Sequence, residues 1–404
     1  VEVVDGALHV VAGSDGIGID AARVAAALPR AAASAAPGTT IRITVTPGPV
    51  PPLGSPAEAR AAVSAAEALA GKSIEIQTSG GGRTITPKQL RSWVALTSHP
   101  DGTVTAGLDP AKTAVGLRAA FADVEGHPQD ASFTLEGGGP VIRADHPGKV
   151  CCGDDAAAVI DAALHEGQHT VALTLVEGPA EFTAAEAKAW GITQAVGGNH
   201  AWRSGAPTTA GPGFTTYHSA SGARVINIHR IADLVRGAVV PPGGSFSVNG
   251  FVGKRTIEKG FVLAGAISNG DHVEEIGGGI SQFATTTFNA AYFAVLDIDE
   301  YQAHSEWFDR YPRGREATMG YPSPDLKFTN NTPFGILIWT SYTSTSLTVT
   351  LYSTPYATAE QTGITEGASG SCTVVTTTRT RTPDGHTEND KFRARYRPGP
   401  GQGC

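Results

Sequence analysis

The sequence has no long apolar segment and little charge. No run of apolar residues approaches the roughly 18 that suggest a membrane-spanning helix. Charged side chains make up 17% of the 404 residues, below the roughly 25% of an ordinary soluble protein. This shortage excludes a highly charged disordered chain and a coiled coil. Glycine (50) and proline (26) supply nearly a fifth of the residues, so many turns are expected.

A concentration of positive charge is also missing. Thirty basic and 38 acidic side chains give a net charge of −8, and the basic residues do not collect into a patch. Because phosphate binding needs a cationic surface, nucleic acid is not a predicted partner. The residues from Val1 onward do not resemble a signal peptide. We expect a chain that starts after processing or a trimmed piece of a longer one, with membrane attachment only through an N-terminal anchor that it lacks.

The chain contains only four cysteines. Cys372 and Cys404 bracket the C-terminal segment, so we predict that a disulfide between them cross-links this tail. Such a bond implies an oxidising, extracellular compartment. Cys151 and Cys152 are adjacent, and the sequence leaves open a vicinal disulfide, pairing elsewhere, or a redox or metal site. A structural role is favoured, because no CxxC spacing or histidine cluster accompanies them.

The length fits two or three domains of mixed α+β structure. An order of strand, helix and strand recurs after about 130 residues, at Gly6–Val11, Asp20–Leu28 and Ile41–Thr46 and again at Glu136–Ile142, Asp155–Leu164 and Val171–Val176. We predict a truncated first repeat over 1–54, a second α+β module over 55–195, a linker over 196–213, a β-rich α+β domain over 214–353 and a hairpin tail over 354–404.

Several helix starts carry a capping box, in which a hydroxyl and an acid or amide three residues later satisfy each other's backbone N–H groups. The pairs are Ser55 with Glu58, Thr86 with Gln89, and Thr183 with Glu186. Trp93 and Trp190 follow two of these starts at the same spacing. They are interpreted as core anchors, with a sugar-stacking platform as the alternative.

The segment His165-Glu-Gly-Gln-His169 has the H-E-x-x-H pattern of zinc proteases. Zinc chemistry requires both imidazoles on one face of a continuous helix. Gly167 interrupts the pattern, and His169 leads directly into a predicted strand. We therefore predict a surface loop between helix and strand, and no metal or cofactor is expected.

The segment with the most chemical potential is Gly277-Gly-Gly-Ile-Ser-Gln282, followed by a helix predicted over Gln282–Val295. Consecutive glycines permit positive φ and close backbone approach. Ser281 then occupies the expected N-cap position, where free N–H groups favour an anion or a charged nucleophile. Ser281 could attack a carbonyl with Gln282 or backbone N–H groups as oxyanion donors. The alternative is a tight turn with a capping serine.

Other candidates lie on either side of this helix. His304 could act as a base for Ser281, or it could be a hydrogen-bonded structural histidine. Arg255, Arg315 and Asp325 could orient the histidine, bind a carboxylate or pair with one another. A second helix is predicted over Asn227–Arg236.

From about Phe214 to Ser353, the chain resembles the VanW family. The resemblance rests on short motifs in the same order: Pro242–Ser247, Arg255–Thr256, Lys259–Gly260, Gly277–Gln282, Thr285–Thr286, Asn289–Ala290, His304–Ser305, Gly314–Thr318 and Asp325–Thr332. Residues 1–195 look like the peptidoglycan-binding modules that often precede such domains. The commonest family pattern reads G-G-G-I-C-Q, whereas this chain has Ser281 at the cysteine position.

The resemblance implies an envelope or cell-wall protein that engages peptidoglycan. In a binding version, the glycine turn Gly277–Gly279 and the helix start hold a carboxylate of a wall stem peptide, aided by Arg255 or Arg315. In an enzyme version, Ser281 attacks an amide carbonyl, His304 moves the proton and Gln282 helps to stabilise the oxyanion. Binding is favoured, because a serine is a poorer nucleophile than a cysteine without a well-placed base.

Overall fold

The computed structural model describes residues 56–99, 103–268, 271–399 and 402–404, and before them residues 2–4, 7–11, 14, 16–19, 21–34, 36, 40, 44 and 46–50. Helices and strands are mixed throughout, in agreement with the α+β prediction. Up to residue 180 the helices are α1 (Ala21–Ala33), α2 (Pro56–Ala70), α3 (Pro87–Trp93), α4 (Pro110–Ala120) and α5 (Ala156–His165). The strands are β1 (Glu2–Val4), β2 (Ala7–His9), β3 (Gly16–Gly18), β4 (Gly48–Val50), β5 (Ile74–Thr78), β6 (Gly81–Ile85), β7 (Val94–Ser98), β8 (Val104–Leu108), β9 (Ser132–Glu136), β10 (Gly139–Arg143), β11 (Gly148–Val150), β12 (Thr170–Ala172) and β13 (Val176–Gly178).

From residue 181 onward strands outnumber helices. The helices are α6 (Ala184–Ala189), α7 (Ala223–Val235), α8 (Val248–Val252) and α9 (Ser281–Phe293), with a 3₁₀ turn at Pro383–Gly385. The strands are β14 (Gln194–Val196), β15 (Asn199–Arg203), β16 (Ala206–Thr208), β17 (Gly213–Tyr217), β18 (Ala238–Val240), β19 (Ser245–Ser247), β20 (Leu263–Ser268), β21 (Asp271–Ile276), β22 (Asp297–Glu300), β23 (Lys327–Thr329), β24 (Ile336–Tyr342), β25 (Ser346–Ser353), β26 (Ala359–Ser369), β27 (Cys372–Arg381) and β28 (Glu388–Tyr396). None of the described helices combines the length and apolar character needed to cross a membrane.

The chain forms two compact units. The first consists of Val1–Gln129 and His146–Ala180, and the second of Asp130–Asp145 and Glu181–Cys404. The hairpin of β9 and β10 thus belongs to the second unit, although it interrupts the first in sequence. The domain boundaries inferred from composition stay predictions.

The first unit packs α2 to α5 around a small sheet. Strand β5 pairs with β6 in antiparallel fashion and with β12 in parallel fashion. Thr86 and Gln89 form the predicted capping box at the start of α3, and Thr183 and Glu186 form one at the start of α6 in the second unit. Trp93, at the end of α3, is 4% exposed. It is a core anchor, as predicted.

The predicted repeat is only partly visible in the structure. Glu136–Ile142 is not one strand, because Gly137 and Gly138 have φ of +59° and +84° and form the turn between β9 and β10. Val171–Val176 is divided between β12 and β13, which pair with different strands. Ile41–Thr46 lies largely outside the described residues, as does Ser55 of the first capping box. The repeat therefore stays a prediction.

Two other segments of the first unit have clear structures. Helix α5 ends at His165 and Gly167 has φ of +72°, so the H-E-x-x-H segment runs through the predicted loop into β12. Cys151 and Cys152 form a vicinal disulfide, one of the alternatives that the sequence leaves open. Cys151 is buried in the core of this unit.

The second unit is organised around a mixed sheet with strand order β16-β15-β17-β25-β24-β18, and β14 also pairs with β25. Strands β15 and β17 run parallel, and the other pairings in this sheet are antiparallel. Helices α7 and α9 share one apolar core with the sheet. Its members include Phe214, Ile231, Phe288, Ile338 and Val349. This packing fixes the start of α9.

Every residue of α9 from Gln282 to Phe293 is buried. Its threonines satisfy their hydroxyls within the helix: Thr286 donates to the carbonyl of Gln282 (2.7 Å) and Thr287 to that of Phe283 (2.9 Å). A helix with such polar residues can therefore lie inside the core. It ends slightly before the predicted boundary, while α7 begins at Ala223, ahead of the predicted Asn227.

The C-terminal segment forms a three-stranded antiparallel sheet, β26-β27-β28. The hairpin predicted in the tail is present as β27 and β28, and β26 adds a strand that sequence reasoning missed. The predicted Cys372–Cys404 disulfide is formed. We refer to β26–β28 as the tail sheet.

Arg379 fastens the tail sheet to α9. Its guanidinium is 1% exposed and donates to the carbonyls of Tyr292 (3.0 Å) and Leu296 (2.9 Å) at the C-terminal end of the helix. The Asp390 carboxylate oxygen Oδ2 lies 2.7 Å from Nη2 of Arg379 and balances its charge. A cation at this end also interacts favourably with the helix dipole.

Candidate functional site

A turn of three glycines precedes α9. Gly277 and Gly279 have φ of +93° and +94°, a region that side chains disfavour. A Cβ on Gly278 would lie 2.1 Å from the carbonyl oxygen of Ala264, and one on Gly279 would lie 2.9 Å from the Arg224 side chain. Glycine is thus required at all three positions. At Gly279, the missing side chain leaves space for Arg224.

Ser281 is the first residue of α9, and it does not cap the helix. The N-cap is Ile280, with helical φ and ψ of −63° and −17° and no side-chain cap. Because the glycine turn leads directly into helical backbone, the cap falls one residue before the predicted Ser281. The Ser281 hydroxyl instead accepts a hydrogen bond from the N–H of Met319 (3.1 Å). It therefore retains its own proton to donate.

A cavity of about 290 Å³, the first cavity, lies at this end of α9. Its lining includes Gly277, Gly279, Ser281, Arg224, His304, Arg310, Tyr311 and Met319. The structure thus brings together Ser281, His304 and the glycine turn, all of which the sequence singles out. No hydrogen bond joins Ser281 to His304 within the described part of the chain.

Gln282 does not point into the first cavity. Its side-chain amide nitrogen donates to the Thr216 hydroxyl (3.1 Å) and the Tyr217 carbonyl (2.9 Å). The side-chain N–H groups that were expected to stabilise an oxyanion are thus already used within the fold. The backbone N–H groups of Gly277, Gly278, Ile280 and Gln282 also donate to carbonyls of the turn and its neighbours.

A buried carboxylate lies behind His304. His304 is 6% exposed and Glu316 is fully buried, and the imidazole Nδ1 lies 3.0 Å from the carboxylate Oε2. The two atoms face each other at an angle too poor for a directed hydrogen bond, so the contact is electrostatic. The other carboxylate oxygen accepts from the Tyr396 hydroxyl. Sequence reasoning predicts His304 but misses both partners: Glu316 lies within the motif Gly314–Thr318 without being singled out, and Tyr396 belongs to no motif.

Tyr396 keeps its proton in this arrangement. Burial, reinforced by Glu316, raises the pKa of Tyr396 well above its ordinary value. The phenol oxygen also accepts from the backbone N–H of Gly314 (2.8 Å). Tyr396 therefore remains a donor to Glu316, and Glu316 keeps one oxygen for His304.

Two further arginines line the first cavity, and sequence reasoning missed both. Arg224 lies at the start of α7, and the Arg310 guanidinium stacks 4.2 Å from the Phe308 ring centre. Burial lowers the pKa of Arg224; Tyr311 opposes this shift and the neighbouring charge of Arg310 adds to it. Among the described residues, neither arginine has an acidic side chain at ion-pair distance. A half-buried pair of uncompensated cations favours an anionic ligand.

Arg315 lies away from the first cavity. It is 6% exposed, donates to the Asn289 side chain (2.9 Å) and stacks on the rings of Tyr292 and Phe293. Burial lowers its pKa to about 10. Arg315 is therefore a structural residue of the core around α9.

Arg255 and Asp325 belong to a second internal network. Arg255 donates to the Asn249 side chain and to the Gly320 carbonyl (3.0 Å), and burial lowers its pKa. Asp325 accepts from the backbone N–H groups of Asn249 (2.9 Å) and Leu326 (2.8 Å). Neither side chain lines the first cavity, so their contacts hold the loops around α8.

A second cavity of about 830 Å³ adjoins the first. The two share the lining residues Glu275, His304, Thr318 and Met319. Arg393 and Arg395 of β28, and Arg397 directly after it, line the second cavity but not the first. The site therefore extends from the α9 helix to the tail sheet.

Residues 223–352 match the model of the family described as VanW like protein. The chain is also 37% identical over 139 residues to the protein named Uncharacterized protein YoaR from Bacillus subtilis (strain 168). The aligned part is 34% of this chain and 46% of that relative, so the match spans about half the length of the relative. No solved structure matches the chain significantly. The first cavity is built largely from the family-matching residues, whereas β28 lies beyond them.

Proposed function

Because residues 223–352 match the VanW-like family model, we propose that this is a cell-wall-associated protein whose VanW-like domain binds the carboxylate of a peptidoglycan stem peptide in the first cavity. The observation that carries the proposal is the pair Arg224 and Arg310, which line this cavity and have no ion-pair partner among the described residues. Glu275 also lines the cavity, but its side chain is exposed to solvent.

The start of α9 supports the same ligand. The positive end of the helix dipole favours an anion, and the glycine turn lets a ligand approach the backbone closely. The Ser281 hydroxyl can add a neutral donor. An arginine pair with such donors is suited to a carboxylate, which accepts two parallel bonds from a guanidinium.

The volume of the first cavity limits the size of the ligand that it can hold. A volume of about 290 Å³ is at the lower end of small-molecule sites, roughly 300–1,000 Å³. It would hold the terminal residue of a peptide rather than a whole glycopeptide. The remainder of the ligand would leave through the open side of the cavity.

We also propose a role for the first unit and an extracellular location for the protein. Residues 55–195 would associate with peptidoglycan and keep the VanW-like domain at the wall. The two disulfides, Cys151–Cys152 and Cys372–Cys404, support an extracellular location, since such bonds persist in oxidising compartments.

Calorimetry with a synthetic muramyl pentapeptide tests the binding site. We expect the free acid to bind and the same peptide with an amidated C-terminus to bind at least about tenfold more weakly, because a charge-assisted pair is lost. Arg224→Gln combined with Arg310→Gln should have the same effect on the acid. The matched control is Arg60→Gln with Lys88→Gln, which removes two charges from exposed positions of the first unit.

Equal affinity for the acid and the amide would refute carboxylate recognition. Retention on intact wall material without stem-peptide binding would leave wall association in place and assign it to other residues.

A second candidate function is amide cleavage or acyl transfer, favoured by the contact of His304 with Glu316 at 3.0 Å. This order of hydroxyl, imidazole and carboxylate can activate a serine. Ser281 Oγ would bond to the carbonyl carbon while its proton passes to His304, which gives a tetrahedral adduct with an oxyanion. The C–N bond would then break, the amine would leave with that proton, and the resulting serine ester would be released by attack of water or another amine.

Mass spectrometry of muropeptides after incubation separates the two functions. Catalysis predicts a product of changed mass that disappears in Ser281→Ala and in His304→Ala, while Arg60→Gln with Lys88→Gln leaves it unchanged. Binding alone predicts unchanged masses for every variant.

A further inference from the structure

Three arginines at the end of the tail sheet form a basic strip. Arg393 and Arg395 lie on β28 and Arg397 directly follows it, while Ala394 and Tyr396 between them are buried on the opposite face. Side chains two residues apart on a strand share one face, with a spacing of about 6.6 Å. The strip therefore presents guanidinium groups at a regular interval.

The strip is one wall of the second cavity, which has a volume of about 830 Å³. Arg393 and Arg395 are exposed and Arg397 is half-buried. Among the described side chains that line this cavity, Glu275 is the acidic one, and it is exposed as well. Positive charge therefore dominates this wall.

The backbone of β28 is tied to the segment that carries His304. The N–H of Arg393 donates to the Tyr301 hydroxyl (2.8 Å), and the N–H of Arg397 donates to the Ser305 carbonyl (2.7 Å). Cys404, which also lines the second cavity, is held by its disulfide to Cys372. The strip thus keeps a defined position next to the first cavity.

We infer that this strip is a second anion site, which binds a linear phosphodiester polymer along β28. An exposed guanidinium gains little from one negative group, because water and salt screen the pair. A chain with a charge on every repeat can engage neighbouring arginines together, and the linked contacts reinforce one another. Phosphate oxygens also match the planar fork of arginine.

This inference does not depend on the proposed function. It uses neither Ser281 nor the arginines of the first cavity, and it concerns residues beyond the family-matching region. A ligand that filled both sites would run from the start of α9 past His304 to the tail sheet.

Fluorescence anisotropy with a labelled synthetic hexamer of glycerol phosphate tests the site. The whole chain should bind the hexamer, and more weakly as salt is raised. Arg393→Gln with Arg395→Gln should weaken binding at least about fivefold, since two exposed charge contacts are lost. Arg393→Lys with Arg395→Lys should retain part of the affinity. Glycerol 1-phosphate, which offers a single anion, should compete poorly.

The control Arg60→Gln with Lys88→Gln removes the same net charge from the first unit. If it weakens hexamer binding as much as the strip variant, the attraction is nonspecific and the inference fails. Equal binding of a hexaglutamate would overturn the assignment to phosphodiesters. Stem-peptide binding should be unchanged in the strip variant, so failure of this site and failure of the proposed function are distinguishable. Circular dichroism confirms that the variants are folded.

Discussion

Two pairs of arginines in the second unit illustrate opposite uses of the same side chain. Arg255 and Arg315 are 6% exposed and spend their hydrogen bonds on side chains and carbonyls of the fold. Arg224 and Arg310 are half-buried, line the first cavity and lack an acidic partner among the described residues. The first pair stabilises loops and the second offers charge to a ligand.

The difference shows that burial alone does not identify a functional arginine. Desolvation lowers the pKa of Arg224 and of Arg255 alike. What separates them is whether the donors are already used. Arg255 directs its hydrogen bonds to the Asn249 side chain and to the Gly253 and Gly320 carbonyls, whereas Arg224 lines a cavity that a ligand can enter.

The largest effect should come from the structural pair. Arg255→Met removes the donor to the Asn249 side chain and to the Gly253 and Gly320 carbonyls, and leaves the buried Asn249 amide oxygen without this partner. We expect a loss of about 3–5 kcal/mol in the free energy of unfolding, measured by urea denaturation. A change below about 1 kcal/mol would show that Arg255 is dispensable for the fold and would break the comparison.

The cavity pair should show the reverse pattern. Arg224→Gln with Arg310→Gln should leave the free energy of unfolding within about 1 kcal/mol of the wild type, because no ion pair is lost. Stem-peptide affinity should nevertheless fall about tenfold or more. Urea denaturation measures the free energy of unfolding, and calorimetry on the same samples measures the affinity for the stem peptide. Strong destabilisation of this variant would assign the pair to the fold.

A cysteine at position 281 would report the charge of the cavity directly. In Ser281→Cys, the arginines and the helix start should lower the thiol pKa by about one unit below its usual 8.5. The pH dependence of alkylation by iodoacetamide measures this pKa. Ser92→Cys, at an exposed position of α3, is the control. An identical pKa at both positions would mean that the cavity has no special affinity for anions.

The smallest effect concerns His200, which stacks on Phe293 with ring centres 3.7 Å apart. Burial lowers the pKa of His200, and the charge of Arg315 lowers it further. The folded state therefore disfavours the imidazolium. The stabilisation is present above the ordinary pKa of 6.5 and is lost as pH falls through the lower folded value.

We expect a loss below about 1 kcal/mol between pH 7 and 5, absent in His200→Gln, from urea denaturation at each pH. NMR titration should place the wild-type pKa of His200 below 6.5. A pKa above 6.5 would mean that neither burial nor the charge of Arg315 disfavours the His200 imidazolium. The description of Arg315 as a buried structural cation would then be wrong.

Local patterns allowed good predictions where neighbouring residues determine the structure. The capping box of Thr86 and Gln89 and the end of α5 at His165 follow from residues a few positions apart. The three glycines before Ser281 indicated a tight turn and a helix start, and the turn displaced the cap by only one residue. Short-range steric and hydrogen-bonding rules suffice for such features.

Features that depend on distant packing could not be predicted. Val171–Val176 reads as one strand, but its two ends pair with different partners. Arg224 and Arg310 carry no motif, and they become neighbours only because α7 and the loop after β22 both approach the start of α9. Glu316 meets His304, and Tyr396 meets Glu316, in the same way, and nothing in the linear spacing marks these contacts.

The bonds from Arg379 to α9 have a practical consequence for dissecting the protein. A recombinant fragment cut to the family-matching residues 223–352 would retain the helix start and lose the guanidinium that binds the carbonyls of Tyr292 and Leu296. It would also lose Tyr396, which donates to Glu316. The shortened domain would thus be a different molecule at the cavity itself, so a functional assay should include the tail through Cys404.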